Sequence, residues 1–208
     1  MMHNAFTIFL VDDDAGVLKA LSRLLHARGY EVRPFASPQA FLSDHAASIP
    51  GCAVLDVSMP DLDGLALQQV LTEDGSQRPV IFLTGKGDIP TSVRAMRAGA
   101  IDFLTKPVND DDLLAAISRA EKRDTEIRSL NADLNSINAR FAILTPRERE
   151  VMTHVIAGRL NKQIAGDLGT VEKTVKVHRG RVMNKLGVRS VAELVRLAEK
   201  VRISQNKG

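Results

Sequence analysis

The stretch Cys52-Ala-Val-Leu-Asp56-Val-Ser-Met-Pro60-Asp-Leu-Asp-Gly64 decides the predicted fold. Four apolar residues run into a single aspartate, Asp56, and a turn-rich segment ending in Gly64 follows directly. A short apolar run bounded by Gly, Pro and Asp is typical of a strand buried on both faces of a parallel sheet. An aspartate at the end of such a strand lies at the carboxyl edge, where open α/β sheets bind their ligands. From this stretch alone, Asp56 is either the cap of the next helix or a functional residue.

The two halves of the chain carry opposite net charge. Residues 1–125 contain 12 Lys/Arg and 17 Asp/Glu, a net charge of −5, whereas residues 126–208 contain 16 and 8, a net charge of +8. This contrast predicts two domains, the second of which binds a polyanion such as nucleic acid. Cys52 is the only cysteine, which excludes an internal disulfide bond and a cysteine-rich zinc site. Because no run of about 18 apolar residues occurs, we expect a cytoplasmic protein with no membrane partner.

Strand-like and helix-like segments alternate through the first half. Five runs rich in β-branched and aromatic residues are predicted strands: Phe6–Val11, Tyr30–Phe35, Cys52–Asp56, Pro79–Thr84 and Ile101–Thr105. A predicted helix follows each of them, indicated by apolar residues at spacings of three and four, as after the first strand, or by a helix start such as Ser37-Pro38. This alternation predicts an α/β domain with a five-stranded, doubly wound parallel sheet and right-handed crossovers.

Polar side chains lie at the carboxyl ends of four of the predicted strands. Asp12 and Asp13 follow the first, Asp56 ends the third, Thr84 ends the fourth and Lys106 follows the fifth. Because parallel strands end at the same edge, these groups can converge on one crevice. Clustered carboxylates repel one another unless a cation lies among them, and Mg²⁺ prefers such oxygen ligands. A carboxylate can also act as a nucleophile and form an acyl phosphate, while a lysine offsets the charge on the transferred group. The set therefore predicts a Mg²⁺-dependent phosphoryl-transfer site.

Four motifs carry a resemblance to a known family: Phe9-Leu-Val-Asp-Asp-Asp14, Leu55-Asp56-x-x-Met59-Pro60-x-x-x-Gly64, Leu83-Thr84-Gly85 and Lys106-Pro107. In this order they resemble the receiver domain of two-component response regulators. The resemblance implies a flavodoxin/CheY-like fold in which Asp56 accepts a phosphoryl group from a sensor histidine kinase. It also implies that Asp13, Asp56 and the Ser58 backbone carbonyl ligate Mg²⁺, with Asp12 holding the ion through water. Lys106 would contact the phosphoryl group, so that the domain catalyses its own phosphoryl transfer and slow dephosphorylation.

The same resemblance implies a switch made of Thr84 and Phe103. Thr84 would be drawn toward the phosphoryl group, and the aromatic residue three positions before Lys106 would respond to that movement. Many receivers carry tyrosine where this chain has Phe103, so no hydroxyl group is available there. Phe103 is therefore either a switch residue or an ordinary core residue of the fifth strand.

The predicted domains are a receiver over residues 5–122, a helical linker over 123–141 and a DNA-binding domain over 142–204. Between Leu113 and Leu144 the apolar residues keep a spacing of three or four, and no Gly or Pro interrupts them before Pro146. This pattern predicts a long helix, either unbroken or frayed near residues 124–129. Its last two heptads would either form a short dimer seam or pack within the chain.

The basic half has the pattern of a helix-turn-helix. Thr145-Pro146-Arg147-Glu148 predicts a capping box, with an N-cap threonine, a proline at the first position and an acidic residue at the third. A short helix over 162–168, a turn at Gly169 and a longer basic helix over 171–186 follow. The longer helix is expected to turn four residues inward: Val171, Val175, Val182 and Leu186.

Three further motifs resemble the LuxR/FixJ-type DNA-binding domain: Leu144-Thr-x-Arg-Glu-x-Glu150, Asn161-Lys-x-Ile-Ala165 and Thr174-Val-Lys-Val-His178. The resemblance implies four helices, of which the third reads the major groove and the last, over 190–201, supplies a dimer contact. The residues expected at the DNA are Lys173, Thr174, Lys176, Val177, Arg181 and Lys185. Gly180 departs from the pattern, since it removes a side chain at a position that often touches DNA.

Together the motifs identify the chain as a member of the NarL/FixJ response regulators, FixJ-like in its Thr84-Gly-x-Gly-Asp88 segment. Its general likeness is to the styrene-type regulators of aromatic catabolism. We expect a transcriptional activator controlled by phosphorylation of Asp56 and not an enzyme acting on a small molecule. Its expected partners are a sensor histidine kinase, promoter DNA, RNA polymerase and a second copy of the chain, joined on phosphorylation.

Two other functions stay open on the sequence. A Mg²⁺-dependent phosphatase with an aspartate nucleophile also uses Asp, Thr and Lys, but it normally carries that nucleophile after its first strand as Asp-x-Asp. It would also leave the basic half unexplained. The second alternative is a regulator that binds DNA without phosphorylation, and Mg²⁺-dependent labelling of Asp56 would decide against it.

Overall fold

The computed structural model describes residues 6–85 and 89–205, and the chain divides into two compact units, with the division between Arg128 and Ser129. This boundary falls inside the linker expected over residues 123–141; the domain limits set from the sequence remain predictions. Gly87 and Asp88, of the FixJ-like segment, lie outside the described residues.

The first unit contains a five-stranded parallel sheet in the order β2-β1-β3-β4-β5. Its strands are β1 (Thr7–Val11), β2 (Glu31–Phe35), β3 (Gly51–Asp56), β4 (Val80–Thr84) and β5 (Asp102–Thr105). Since the strand order reverses at β1, the sheet has a switch point where β1 and β3 end side by side. The predicted doubly wound fold is confirmed.

Helices cover both faces of this sheet: α1 (Ala15–Ala27), α2 (Pro38–Asp44), α3 (Gly64–Glu73), α4 (Ile89–Arg97) and α5 (Asp110–Ala142). Alternate residues of β1 enter opposite cores, because successive strand residues point to opposite faces. Ile8 and Leu10 pack with α1 and the start of α5, whereas Phe9 and Val11 pack with α2, α3 and α4. Both faces of the sheet are therefore buried, as the near-continuous apolar strands require.

Helix α5 runs from Asp110 to Ala142 without the fray that residues 124–129 suggested. Arg128 anchors the part of α5 that belongs to the first unit. Its guanidinium donates to Asp124 Oδ2 at 2.7 Å and to the backbone carbonyls of Ala47, Ser48 and Ile49. Beyond Arg128, the apolar residues of the linker pattern differ in burial. Leu130 is 61% exposed, whereas Ile137 and Leu144 are buried.

The second unit packs four short helices around one core: α6 (Pro146–Ile156), α7 (Asn161–Asp167), α8 (Glu172–Leu186) and α9 (Val191–Gln205). The capping box at Thr145 and Glu148 is present, as predicted. Val175, Val182 and Leu186 are buried, but the expectation that Val171 turns inward was wrong. Val171 is the extended N-cap residue of α8, so its side chain does not follow the helical period, and it is 64% exposed.

No helix in the part of the chain that the structure describes is long and apolar enough to cross a membrane.

Candidate functional site

Three carboxylates meet at the carboxyl edge of the sheet and are called the acidic edge below: Asp12, Asp13 and Asp56. Asp12 and Asp13 follow β1, and Asp56 is the last residue of the neighbouring strand β3. One oxygen from each lies within 4.8 Å of the others, with Asp12 and Asp56 buried and Asp13 exposed. The convergence expected from the strand ends is therefore present, on the switch point of the sheet.

Asp56 does not cap the next helix. Asp63 is the N-cap residue of α3, and its Oδ1 accepts a hydrogen bond from the Ala66 amide at 2.7 Å. The Oδ2 atom of Asp56 instead accepts from the Ser58 amide at 3.2 Å, and the residue is 4% exposed. Of the two interpretations that the sequence left open for Asp56, the cap is excluded.

Lys106 joins the two buried members of the acidic edge. Its Nζ atom lies 2.5 Å from Oδ2 of Asp12 and 2.9 Å from Oδ1 of Asp56. Burial alone would lower the pKa of Lys106, but its hydrogen bonds to these two carboxylates outweigh that effect and raise it. Burial raises the pKa of Asp12, although the hydrogen bonds from Lys106 and from the Asp14 amide act in the opposite direction.

The acidic edge has the composition of a site for a hard cation. Among the described residues, three carboxylates face one ammonium group, so negative charge is in excess where Asp12 and Asp56 are buried. Carboxylate oxygens are the ligands that divalent cations such as Mg²⁺ and Ca²⁺ prefer, and a bound cation would relieve the repulsion among them. The donor set therefore fits a metal ion.

Gly64 is part of the same site for a steric reason. A Cβ atom at this position would lie 2.3 Å from the backbone oxygen of Asp56 and 3.1 Å from the ring of Phe82. Only glycine lets the start of α3 approach the end of β3 this closely. The glycine that closes the Asp56 motif thus sets the packing around Asp56.

The two predicted switch residues lie on adjacent strands. Thr84 is fully buried at the end of β4, and its backbone oxygen accepts from the Lys106 amide at 2.7 Å. Phe103, on β5, is half-buried, with its ring centroid 6.2 Å from that of Phe82 on β4. It also packs against the core on the α3 side, so it has the environment of a core residue and a direct contact with the Thr84 strand.

The predicted DNA-contact residues lie on α8, but they do not share one environment. Lys173, Lys176, Val177 and Arg181 are exposed at helical spacing opposite the buried valines, and Thr174 is partly exposed. Lys176 also pairs with Glu172 one turn earlier at 3.2 Å. Lys185 is different, because its Nζ atom lies 2.6 Å from the carboxylate of Glu148 within the domain. Its geometry gives no support to the predicted DNA contact.

Sequence reasoning treated Glu148 only as a member of a capping box. In the structure Glu148 is 2% exposed and accepts hydrogen bonds from the amide of Thr145, the N-cap residue of α6, and from Lys185 of α8. A helix-start pattern shows which backbone amide such a glutamate caps, but not which distant side chain it also meets. The sequence signal for this second contact was Lys185 itself, which lies in the last turn of α8 next to the buried Leu186 and was interpreted as a DNA contact.

Two family models match the chain. The response regulator receiver domain matches residues 8–118, and the bacterial regulatory proteins of the luxR family match residues 142–198. The chain belongs to the NarL/FixJ response regulators. The regulator is 45% identical over 197 residues to response regulator protein TmoT of Ectopseudomonas mendocina, covering 95% of this chain and 90% of the relative. It is 42% identical over 191 residues to transcriptional regulatory protein FixJ of Bradyrhizobium diazoefficiens, covering 92% and 93% of the two chains.

A solved structure extends this similarity to the fold. The low-resolution structure of response regulator StyR superimposes with a TM-score of 0.82 at 45% identity, covering 94% of this chain and 99% of that one. The predicted family and function are confirmed: the chain is a transcriptional regulator controlled by phosphorylation, and not a phosphatase. A receiver domain implies a sensor kinase partner, and a LuxR-type domain implies DNA binding. The likeness to styrene-type regulators in particular stays a prediction.

Proposed function

We propose that Asp56 is the phosphoacceptor of this regulator. A carboxylate oxygen of Asp56 attacks the phosphorus of a phosphohistidine on the sensor kinase, the P–N bond breaks, and the imidazole leaves with a proton from solvent. One observation carries this assignment: Asp56 ends β3 inside the acidic edge, with Lys106 Nζ 2.9 Å from its Oδ1. That ammonium group offsets the charge of the phosphoryl oxygens during transfer.

Mg²⁺ is the proposed cation of the acidic edge. The groups that would hold it are Asp13, Asp56 and the Ser58 backbone carbonyl, with Asp12 acting through water. When bound, the ion neutralises charge shared by the carboxylates and the phosphoryl group. The excess of carboxylates over ammonium groups supports this part of the proposal.

Thr84 and Phe103 are the proposed switch. Phosphorylation adds about −1.5 to −2 charges at the end of β3. The Thr84 hydroxyl then donates a hydrogen bond to a phosphoryl oxygen, and the shift at the end of β4 passes to β5. Two contacts support this route: the backbone hydrogen bond between Lys106 and Thr84, and the packing of Phe103 on Phe82.

The output is DNA binding by α8 in the major groove. Lys176 and Val177 contact bases, and Lys173, Thr174 and Arg181 contact bases or phosphates. The shared exposed face of these residues, opposite the buried Val175 and Val182, supports this part of the proposal.

Phosphorylation promotes a homodimer that binds two half-sites and recruits RNA polymerase as an activator. The exposed apolar side chains of α4 supply surface for the dimer contact: Ile89 (79% exposed), Val93 (42%) and Met96 (47%). These residues are spaced by four and three positions, so they form one stripe along the helix.

Labelling with a radioactive acyl phosphate, with and without Mg²⁺, tests the proposal. The wild-type chain should incorporate label only with Mg²⁺, and Asp56→Asn should incorporate none. Asp63→Asn is the matched control in the same loop, because asparagine also caps a helix and Asp63 is outside the acidic edge. Selection of DNA from a random pool, with and without the phosphodonor, then measures the output. If Asp56→Asn binds the selected operator as tightly as the phosphorylated wild type, the regulator works without phosphorylation.

A further inference from the structure

Lys185 differs from the other predicted DNA-contact residues in the kind of ion pair that it forms. Lys176 pairs with the exposed Glu172, whereas Lys185 pairs with a buried carboxylate. Its ammonium group donates to Glu148 Oε2 at 2.6 Å and to the Ile143 backbone oxygen at 3.1 Å. The Lys185 side chain is 32% exposed and that of Glu148 only 3%. A lysine so engaged would have to break a largely buried ion pair in order to reach a phosphate.

Glu148 also caps α6, and this second interaction fixes the position of the carboxylate that Lys185 contacts. The same Oε2 atom accepts from the Thr145 amide at 2.9 Å, while the Thr145 hydroxyl accepts from the Glu148 amide at 3.3 Å. The hydrogen bond from Lys185, followed by that from Thr145, lowers the pKa of Glu148 to about 2. One carboxylate thus fixes the N-terminus of α6 and the last turn of α8 to each other.

A second cation reaches the same end of α8 from another helix. Arg140, near the end of α5, donates through Nη1 to the Leu186 backbone oxygen at 3.2 Å. Leu186 is the last residue of α8, and the left-handed Gly187 ends the helix. The carbonyls of a last helical turn have no partner within the helix, and positive charge there is favourable. The end of α8 is therefore held from α6 and from α5.

We propose that Lys185 and Arg140 are positioning residues for DNA recognition, and that Lys185 is not a DNA contact. Fixing the last turn of α8 sets the direction in which Lys176 and Val177 project. Base-specific contacts depend on such geometry, whereas attraction to phosphates depends mainly on charge. The inference rests on the proposed role of α8 as the helix that reads DNA.

The test measures the affinity of the phosphorylated full-length chain for two duplexes across a range of salt concentrations. One duplex is the sequence that the protein selects from a random pool, and the other has a random sequence. The variants are Lys185→Gln and Arg140→Met, with Lys173→Gln as the phosphate-contact control on the exposed face of α8. Affinity for DNA falls as salt rises, so the slope of log affinity against log salt concentration is negative. Losing one phosphate contact makes this slope less steep by about 0.9.

Lys173→Gln should make this slope less steep, whereas Lys185→Gln and Arg140→Met should leave it unchanged. Both positioning variants should weaken binding to the selected duplex about tenfold, or about 1.4 kcal/mol, and leave the random duplex unaffected. Lys185→Arg, which keeps the ion pair with Glu148, should restore selective binding. A purely stabilising role would lower the melting temperature but leave the affinity of the folded protein unchanged.

If the salt dependence becomes less steep in Lys185→Gln by as much as in Lys173→Gln, the inference is wrong but the proposed function still stands. Unchanged affinity for the selected duplex in folded Arg140→Met would also overturn the inference alone. This variant introduces no unpaired buried charge and decides the matter if Lys185→Gln does not fold. A phosphorylated wild-type chain that selects no sequence from the random pool would overturn the proposed function together with the inference.

Discussion

Lys106 and Lys185 make almost the same contact in two different settings. Each places its ammonium group 2.5–2.9 Å from a buried carboxylate. Lys106, however, faces an acidic edge with three carboxylates, one of them exposed. Among the described carboxylates Lys185 pairs with Glu148 alone, and that carboxylate already caps α6. The excess charge, with one carboxylate open to solvent, can bind a cation or an incoming phosphoryl group, whereas the balanced pair can only hold helices together.

Gly64→Ala should have the largest effect on stability, because the new methyl group collides with the backbone of Asp56. It disturbs the acidic edge without removing a charge. The new methyl group would lie 2.3 Å from the Asp56 backbone oxygen, so β3 and α3 must separate. We expect the first unit to lose about 3 kcal/mol of stability and Asp56 to lose its labelling by acyl phosphate. Native-state hydrogen exchange reports each unit separately. Gly166→Ala, on α7 with nothing within 4 Å, is the control; equal stability and labelling in Gly64→Ala would contradict the steric argument.

Lys106→Met and Lys185→Met should separate the two settings by their response to Mg²⁺. Removing Lys106 leaves Asp12 and Asp56 uncompensated and should cost the first unit about 2 kcal/mol, less than a fully buried pair because Lys106 is 21% exposed. Saturating Mg²⁺ should recover most of this loss, since the carboxylates can bind the ion instead. Mg²⁺ should recover nothing in Lys185→Met. Hydrogen exchange of the β1, β3, α6 and α8 amides measures both effects, and an equal response to Mg²⁺ would abolish the distinction.

The acidic edge could be predicted from sequence because parallel strands end at one edge of a sheet. Asp56 and Thr84 end apolar strands, and Asp12 and Lys106 directly follow strands. Local patterns and one topological rule were therefore enough to predict that they converge. The surroundings of Lys185 could not be predicted in this way. Helical periodicity indicates which face of α8 is buried, but not which charge on α6 lies across from it.

The same limit explains the wrong expectation for Val171 and the different environments of apolar residues along the linker helix. Val171 fits the buried period of α8 but precedes its first turn, where the period does not apply. Leu130 and Ile137 belong to one apolar pattern, yet one is exposed and the other buried. Which of them finds a partner depends on contacts distant in sequence, and periodicity carries no information about those.

Lowering the pH should change the stabilising contributions of Glu148 and Asp12 in opposite directions. The pKa of Glu148 is about 2 in the folded chain against 4.5 ordinarily, so its stabilisation is present above pH 4.5 and is lost as the pH falls toward 2. The pKa of Asp12 is raised by burial above 3.8, so its contribution is fully present below that pH and is lost as the pH rises. In the presence of a chelator, the stability difference between wild type and Glu148→Gln should shrink on acidification, while that between wild type and Asp12→Asn should shift in favour of wild type. Parallel slopes would show that the two carboxylates do not differ in this way.

Gly180→Ala should have the smallest effect and the opposite sign to Gly64→Ala. Gly180 lies within α8, is exposed, and has no atom within 4 Å of the position that a Cβ would take. Alanine there removes only the backbone freedom that glycine retains when unfolded, so the second unit should gain about 1 kcal/mol. Hydrogen exchange of the α8 amides measures the gain, and the β1 and β3 amides serve as the internal control. A loss of stability would mean that α8 is not a regular helix at Gly180, and the exposed face assigned to Lys176 and Val177 would then have to be redrawn. Because the two substitutions are chemically identical, their opposite signs would come only from the atoms around each glycine.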